Sequence, residues 1–140
     1  MALKKGYKQL MAEAATLIEA VTIDSAKGLL DDPNVLFVDI RETRELERDG
    51  TIPGAFHAPR GMIEFWVDPE SPYFKKAFGE GKRLVLFCAS AWRSALTTAA
   101  LLDMGLDDVC HLEGGFSAWK KAGAPIAGWD SKAHATVPKC

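Results

Sequence analysis

Leu84-Val85-Leu86-Phe87-Cys88-Ala89-Ser90-Ala91-Trp92-Arg93-Ser94 is the run on which the reading of this chain turns, and Ala95 to Leu102 follow it directly. Four consecutive apolar residues ahead of a cysteine suit a strand buried on both faces, as in a parallel sheet. From Ser94 onward Leu96, Ala99, Ala100 and Leu102 recur at helical spacing, and Gly105 is a stop signal. The spacing therefore predicts a thiol at the carboxyl end of a buried strand, with a helix beginning a few residues later. Amides of the loop Ala89 to Arg93, the unpaired donors of the helix start and the Arg93 guanidinium would all favour an anion there. Cys88 is accordingly expected to react as a stabilised thiolate. The spacing of Cys and Arg alone is weak evidence, because cysteine commonly packs as a small buried hydrophobe. The strand before, the helix after and the small residues between add the weight.

With 140 residues and a formal net charge of -2, the chain has the length of one domain and no electrostatic signature of a nucleic-acid or membrane partner. Such a length buries about two-thirds of the surface of the unfolded chain. No apolar run reaches membrane-spanning length and no signal-peptide pattern opens the sequence, so a cytoplasmic protein is expected. Cys88, Cys110 and Cys140 show neither paired nor metal-like spacing, which argues against a disulfide framework and against zinc; no metal and no cofactor are called for.

Three segments follow from the patterning: an N-terminal helical extension over 1–20, an α/β domain over 21–126 and a C-terminal tail over 127–140 without periodicity, expected to be partly disordered. Leu3 to Ala20 reads as one helix with Leu10, Ala14, Leu17 and Ile18 on one face, compatible with a monomer or a homodimer. Lys4, Lys5 and Lys8 read as a solvated face. Val21 to Ile23 reads as a short strand, Asp24 or Ser25 as the cap of a helix to Leu30, and Val35 to Val38 as a second buried strand ending in Asp39. Thr43 is placed as the cap of a helical segment from Arg44 to Arg48 that closes at Gly50. Met62 to Trp66 is apolar, Tyr73 to Phe78 gives a helical turn or two, Val109 to Leu112 a strand and Phe116 to Ala122 a helix. Alternating strands and helices imply a mostly parallel sheet of about five strands with helices on both faces and ligands at the carboxyl ends of its strands. Asp39 and Cys88 both fall at that rim.

Four motifs then occur in order: Val38-Asp39-Ile40-Arg41, Ile52-Pro53-Gly54-Ala55, Cys88-Ala89-Ser90-Ala91-Trp92-Arg93-Ser94, and Leu112-Glu113-Gly114-Gly115-Phe116 with Trp119. Together, over about Val21 to Ile126, they resemble the rhodanese family of single-domain sulfurtransferases. The resemblance implies the rhodanese-like α/β fold and a cycle in which Cys88 takes a sulfane sulfur from a small anionic donor, thiosulfate- or mercaptopyruvate-like. The persulfide then passes it to cyanide or a thiol, including a protein thiol, while amides of the loop Ala89, Ser90, Ala91, Trp92, Arg93 and Ser94 cradle the sulfur. Cysteine phosphatases of related fold usually place five residues between Cys and Arg; here there are four, a ring matched to one sulfur atom rather than a phosphate. The alternatives are a non-catalytic sulfur carrier or regulatory module on the same fold, and a phosphatase or arsenate-reducing relative.

Several residues depart from the family pattern or have a plain structural reading. Ala91 stands where many members have Gly, so a positive φ there would cost about 1 kcal/mol or more. Ala89 adds no charge beside the cysteine, Trp92 either lines the pocket or packs outward, and Thr51 replaces a common histidine in a structural role. Asp39 is expected to brace the site edge, Arg41 to pair with a carboxylate such as Glu45, and Arg60 either to charge the pocket mouth or to be solvated. Phe65 and Trp66 are assigned to the core, Gly114 and Gly115 to backbone geometry, and Cys110 to the inert interior. Cys140 is expected to be exposed and dispensable, and none of His57, His111 and His134 is assigned a role as base.

Overall fold

A computed structural model describes residues 2–138. Strand β4 (Arg83–Phe87) is the centre of a five-stranded sheet whose order is β1 (Ala20–Val21), β5 (Val109–Leu112), β4, β2 (Val35–Asp39), β3 (Phe56–His57), with every pair parallel. Because successive side chains on a strand point to opposite faces, Leu84 and Leu86 pack with Ile63 and Val67 of α4 (Ile63–Val67) and Leu101 of α5 (Trp92–Asp103). Val85 and Phe87 pack on the other face with Ala26 of α2 (Ile23–Lys27) and with Phe116 and Trp119 of α6 (Gly115–Lys121). Both faces of β4 are thus dry, as its unbroken apolar run requires. Among the described residues no helix is long and apolar enough to cross a membrane.

Helix α1 is shorter than its periodicity predicts, running Tyr7–Ala15 instead of Leu3 to Ala20. Thr16 ends it by donating its hydroxyl to Glu13 O at 2.7 Å, and the chain must then extend so that Ala20 and Val21 can pair with His111 and Leu112. The β1 strand accordingly ends before Thr22, whose hydroxyl caps α2 by accepting from Ser25 N at 3.1 Å, in place of Asp24 or Ser25. Helix α3 (Thr43–Asp49) is capped by Glu42, not Thr43: the Glu42 amide donates to Glu45 Oε2 at 2.8 Å. Helix α5 starts at Trp92, two residues before the start at Ser94 that the spacing predicts. Phe65 is 54% exposed, a correction to its assignment to the core, whereas Trp66 packs edge-on against Phe56 at 6.3 Å.

The C-terminal segment departs most from expectation. Its described residues carry regular structure where none was expected: β6 (Gly128–Asp130) and β7 (Ala135–Val137) form an antiparallel hairpin. Thr51 and Ala127 exchange two backbone hydrogen bonds of 2.9 Å, and the Trp119 indole donates to Pro125 O at 2.7 Å. Strands of three residues are too short to display alternation, and the hairpin is held by rings instead: His134, at φ 52°, sits 5.2 Å from Trp129, which in turn lies 5.5 Å from His57. Cys140 lies outside the described residues.

Two features of this frame are testable. Gly115 has φ +67°, and a Cβ there would come within 2.7 Å of both Cys88 O and Ala89 O. Gly115→Ala should therefore cost at least about 2 kcal/mol through left-handed strain plus displaced backbone, read as a lowered urea midpoint. Burial lowers the pKa of His57 and of His111 below the ordinary imidazole value. Each binds its proton less readily folded than unfolded, so stability is complete above about pH 6.5 and is lost as pH falls below it. Urea midpoints should drop between pH 7 and pH 5, and His57→Gln should flatten that slope without abolishing it.

Candidate active site

Strand β4 ends at Phe87, and Cys88 begins a loop most of whose carbonyls are engaged, the first two by α6 and later ones by α5. Cys88 O accepts from Phe116 N at 2.7 Å, Ala89 O from Ser117 N at 2.9 Å, Ala91 O from Ala95 N at 3.1 Å, and Arg93 O from the Thr97 hydroxyl at 2.6 Å. With the carbonyls directed away, the amides of Ala89, Ser90, Ala91, Trp92 and Arg93 make no hydrogen bond among the described residues. The next one is committed: Ser94 N–H donates to the Cys88 sulfur at 3.3 Å. Ala91 accomplishes the turn at φ 74°, the left-handed conformation in which an alanine costs about 1 kcal/mol or more. Cys88 is only 1% exposed, so its sulfur is buried beneath this loop and against the core residues of β4.

Two ion pairs hold the rim. Asp39 and Arg41, both buried, bond through Arg41 Nε and Nη2 at 2.8 to 3.2 Å, and Arg41 Nη2 also donates to Gly50 O at 2.7 Å. Asp39 further accepts from the Arg41 amide at 3.0 Å and the Thr51 hydroxyl at 2.7 Å, and the guanidinium lies over the Phe116 ring at 4.3 Å. Arg41 thus pairs with Asp39 and not, as expected, with Glu45. That carboxylate belongs to Arg93, whose two terminal nitrogens donate to it at 2.8 and 3.0 Å. The Arg93 hydrogen bonds hold Glu45 down at about 2, against the opposing effect of its burial. Arg93 is therefore a strut from the loop to α3 before it is a free positive charge.

The structure brings together Cys88, its loop and the Asp39–Arg41 pair, and sets two candidates apart. Arg60 pairs with Glu64 at 3.5 Å and lines the groove between α1 and α5 beside Leu10 and Leu96. Trp92 packs outward, 58% exposed, stacked on Tyr7 of α1 with ring centroids 5.3 Å apart. Cys110 is buried, its thiol donating to Leu84 O at 3.6 Å, and burial pushes it up to about 11. His111 was missed: its Nδ1 lies 2.9 Å from Ser94 Oγ, which is itself 3.6 Å from the Cys88 sulfur. The signal lies in strand register. His111 pairs with Leu86, two residues before Cys88 and on the same face, but pairing between strands cannot be read from one chain's periodicity.

Residues 22–122 match the rhodanese-like domain family. A sulfurtransferase of Allochromatium vinosum is 34% identical over 72% of this chain and 86% of its own length. The tRNA uridine(34) hydroxylase of Deinococcus radiodurans is 36% identical over 62% of this chain, a match that spans only 28% of that longer protein. Among solved structures, a protein of unknown function from Rhodopseudomonas palustris, described as a possible tyrosine phosphatase, is 48% identical with a TM-score of 0.87. That match covers 90% of this chain and 97% of the other. Motif order, parallel sheet, cysteine loop and sequence likeness agree, and the chain belongs to the rhodanese-like domain family.

Proposed function

We propose that this protein is a sulfurtransferase that carries sulfane sulfur on Cys88. The observation that carries the reading is the loop itself: four residues separate Cys88 from Arg93, one amide already contacts the sulfur, and five neighbouring amides are uncommitted. In the cycle, the Cys88 thiolate attacks the outer sulfur of a thiosulfate- or mercaptopyruvate-like donor. The donor's bond to that sulfur breaks, its electron pair leaves with sulfite or the equivalent enolate, and a persulfide remains. A thiol or cyanide acceptor then attacks the outer sulfur and returns the thiolate. Developing negative charge falls where loop amides point, so no separate Lewis acid is needed for this step.

Beside Ala89 lies a cleft of about 210 Å³ lined by Arg41, Arg48 and Lys120 and also by Glu45 and Asp49, with Arg41 paired to Asp39 and Arg48 to Asp49, so of its cations Lys120 is the one that supports a small anionic donor most directly. Phosphate ester hydrolysis is the less favoured chemistry. Both terminal nitrogens of Arg93 are engaged by Glu45 and so do not present a free fork to phosphate oxygens. A slow sulfur carrier remains as a second reading, favoured by the 1% exposure of Cys88 and by uncharged Ala89 and Ala91 next to it.

Intact-mass measurement after incubation with thiosulfate or mercaptopyruvate should show one added sulfur that cyanide removes, and Cys88→Ser should abolish it while Cys110→Ala leaves it in place. Repeated turnover to cyanide supports the enzyme, a single loading supports the carrier, and aryl phosphate hydrolysis without any sulfur loading overturns both. Glu45→Gln removes the charge that anchors Arg93. For a partly exposed pair this is worth about 1 kcal/mol, so loading should slow roughly fivefold in stopped or quenched time courses.

A further inference from the structure

The catalytic loop ends in a residue with two contacts to the sulfur. Ser94 N–H donates to Cys88 Sγ at 3.3 Å, and the Cys88 thiol in turn points at Ser94 Oγ at 3.6 Å. A hydroxyl that accepts from the thiol must send its own proton elsewhere, and His111 Nδ1 stands 2.9 Å away. The three side chains share one face of the sheet because His111 is in register with Leu86 and Cys88 follows Leu86 by two residues. All three are buried, with Ser94 wholly inaccessible and His111 7% exposed, which keeps bulk water from taking over the exchange.

We propose that His111 is a positioning residue for the nucleophile: through the Ser94 hydroxyl it accepts the proton that Cys88 must lose. This rests on the reading above that Cys88 is the nucleophile. The thiol proton moves to Ser94 Oγ while the Ser94 hydroxyl proton moves to His111 Nδ1. One S–H and one O–H bond break, one O–H and one N–H bond form, and the electron pair stays on sulfur. No oxidant or reductant enters. The products are a thiolate facing the Ser94 amide and an imidazolium one hydroxyl away.

The surroundings of His111 suit this exchange. Glu113, in the turn just after β5, carries a negative charge that favours the imidazolium against the larger opposing effect of burial. From β1, the chain preceding Ala20 contributes Glu19 O, which accepts from the His111 amide at 3.1 Å, while the Glu19 carboxylate is engaged by Arg83. From β4 the in-register neighbour is Leu86, and from α5 the contact is Ser94. Burial keeps the ring neutral while Cys88 is a thiol, leaving Nδ1 open to accept.

The test is the pH profile of Cys88 alkylation by iodoacetamide, followed on the peptide that contains it, an assay that needs no sulfur donor. His111→Gln should slow alkylation at pH 7 about tenfold, the effect of one unit on a titrating thiol, and reduce the profile to a single ionisation. Ser94→Ala should produce the same loss, adding His111→Gln to it should produce no more, and Ser94→Thr should restore the rate. Superimposable profiles for wild type and His111→Gln overturn the proposal. If His111→Gln proves unfolded by circular dichroism, the wild-type protein decides. The NMR titration midpoint of His111 must shift when Cys88 is carboxamidomethylated, since coupling between two sites is reciprocal, and an unmoved midpoint overturns it equally. His111-dependent alkylation in a protein that never loads sulfur would sink the sulfurtransferase reading alone.

Discussion

The start of α6 presses two amides against the carbonyls of Cys88 and Ala89, and the rest of the site depends on that contact. A peptide unit has a donor end and an acceptor end; fixing the acceptors outward at 2.7 and 2.9 Å leaves the donors of the following residues turned the other way. Gly114 and Gly115, both at positive φ, let the second backbone come this close. The donors near Cys88 are thus supplied by main chain. They do not require a basic residue at 89, which this chain lacks.

Charged side chains serve chiefly as braces. Removing both Asp39 and Arg41 from water is expensive, and a buried pair is retained without strain only where further bonds satisfy it. Here Gly50 O, the Arg41 amide and the Thr51 hydroxyl supply them. The pair thereby ties the end of β2 to the turn at Thr51, which is the same backbone that receives Ala127 and carries the C-terminal hairpin. The Glu45–Arg93 pair makes a second tie, from α3 to the first turn of α5. The reaction loop is fixed at both ends by elements that are remote in sequence.

What could be read from the sequence was what is local and periodic. The run Leu84 to Phe87, the small residues after Cys88 and the helix beyond them gave strand, loop and helix within two residues, because burial on both faces leaves no ambiguity of period. The motif order gave the family. Partner choice was not legible: Arg41 has carboxylates at positions 39, 42 and 45, and only the fold shows that Asp39 points inward while Glu45 reaches Arg93. His111 looked like an isolated imidazole because its neighbour across the sheet is 25 positions earlier in the chain, and the C-terminal hairpin was invisible because rings from β3 and the hairpin, not alternation, hold it. Helix α1 was drawn too long since its composition suits a helix to Ala20, whereas pairing with β5 claims the last residues for a strand.

The register between β4 and β5 sets His111 against the loop without making it part of the loop. Its contact there is to the Ser94 hydroxyl, whereas the bonds that hold the loop carbonyls of Cys88 and Ala89 come from the main chain of α6. A fold arranged this way draws the shape of the loop from the main chain of α6 and leaves a neighbour of the Ser94 hydroxyl to be supplied by a separate strand.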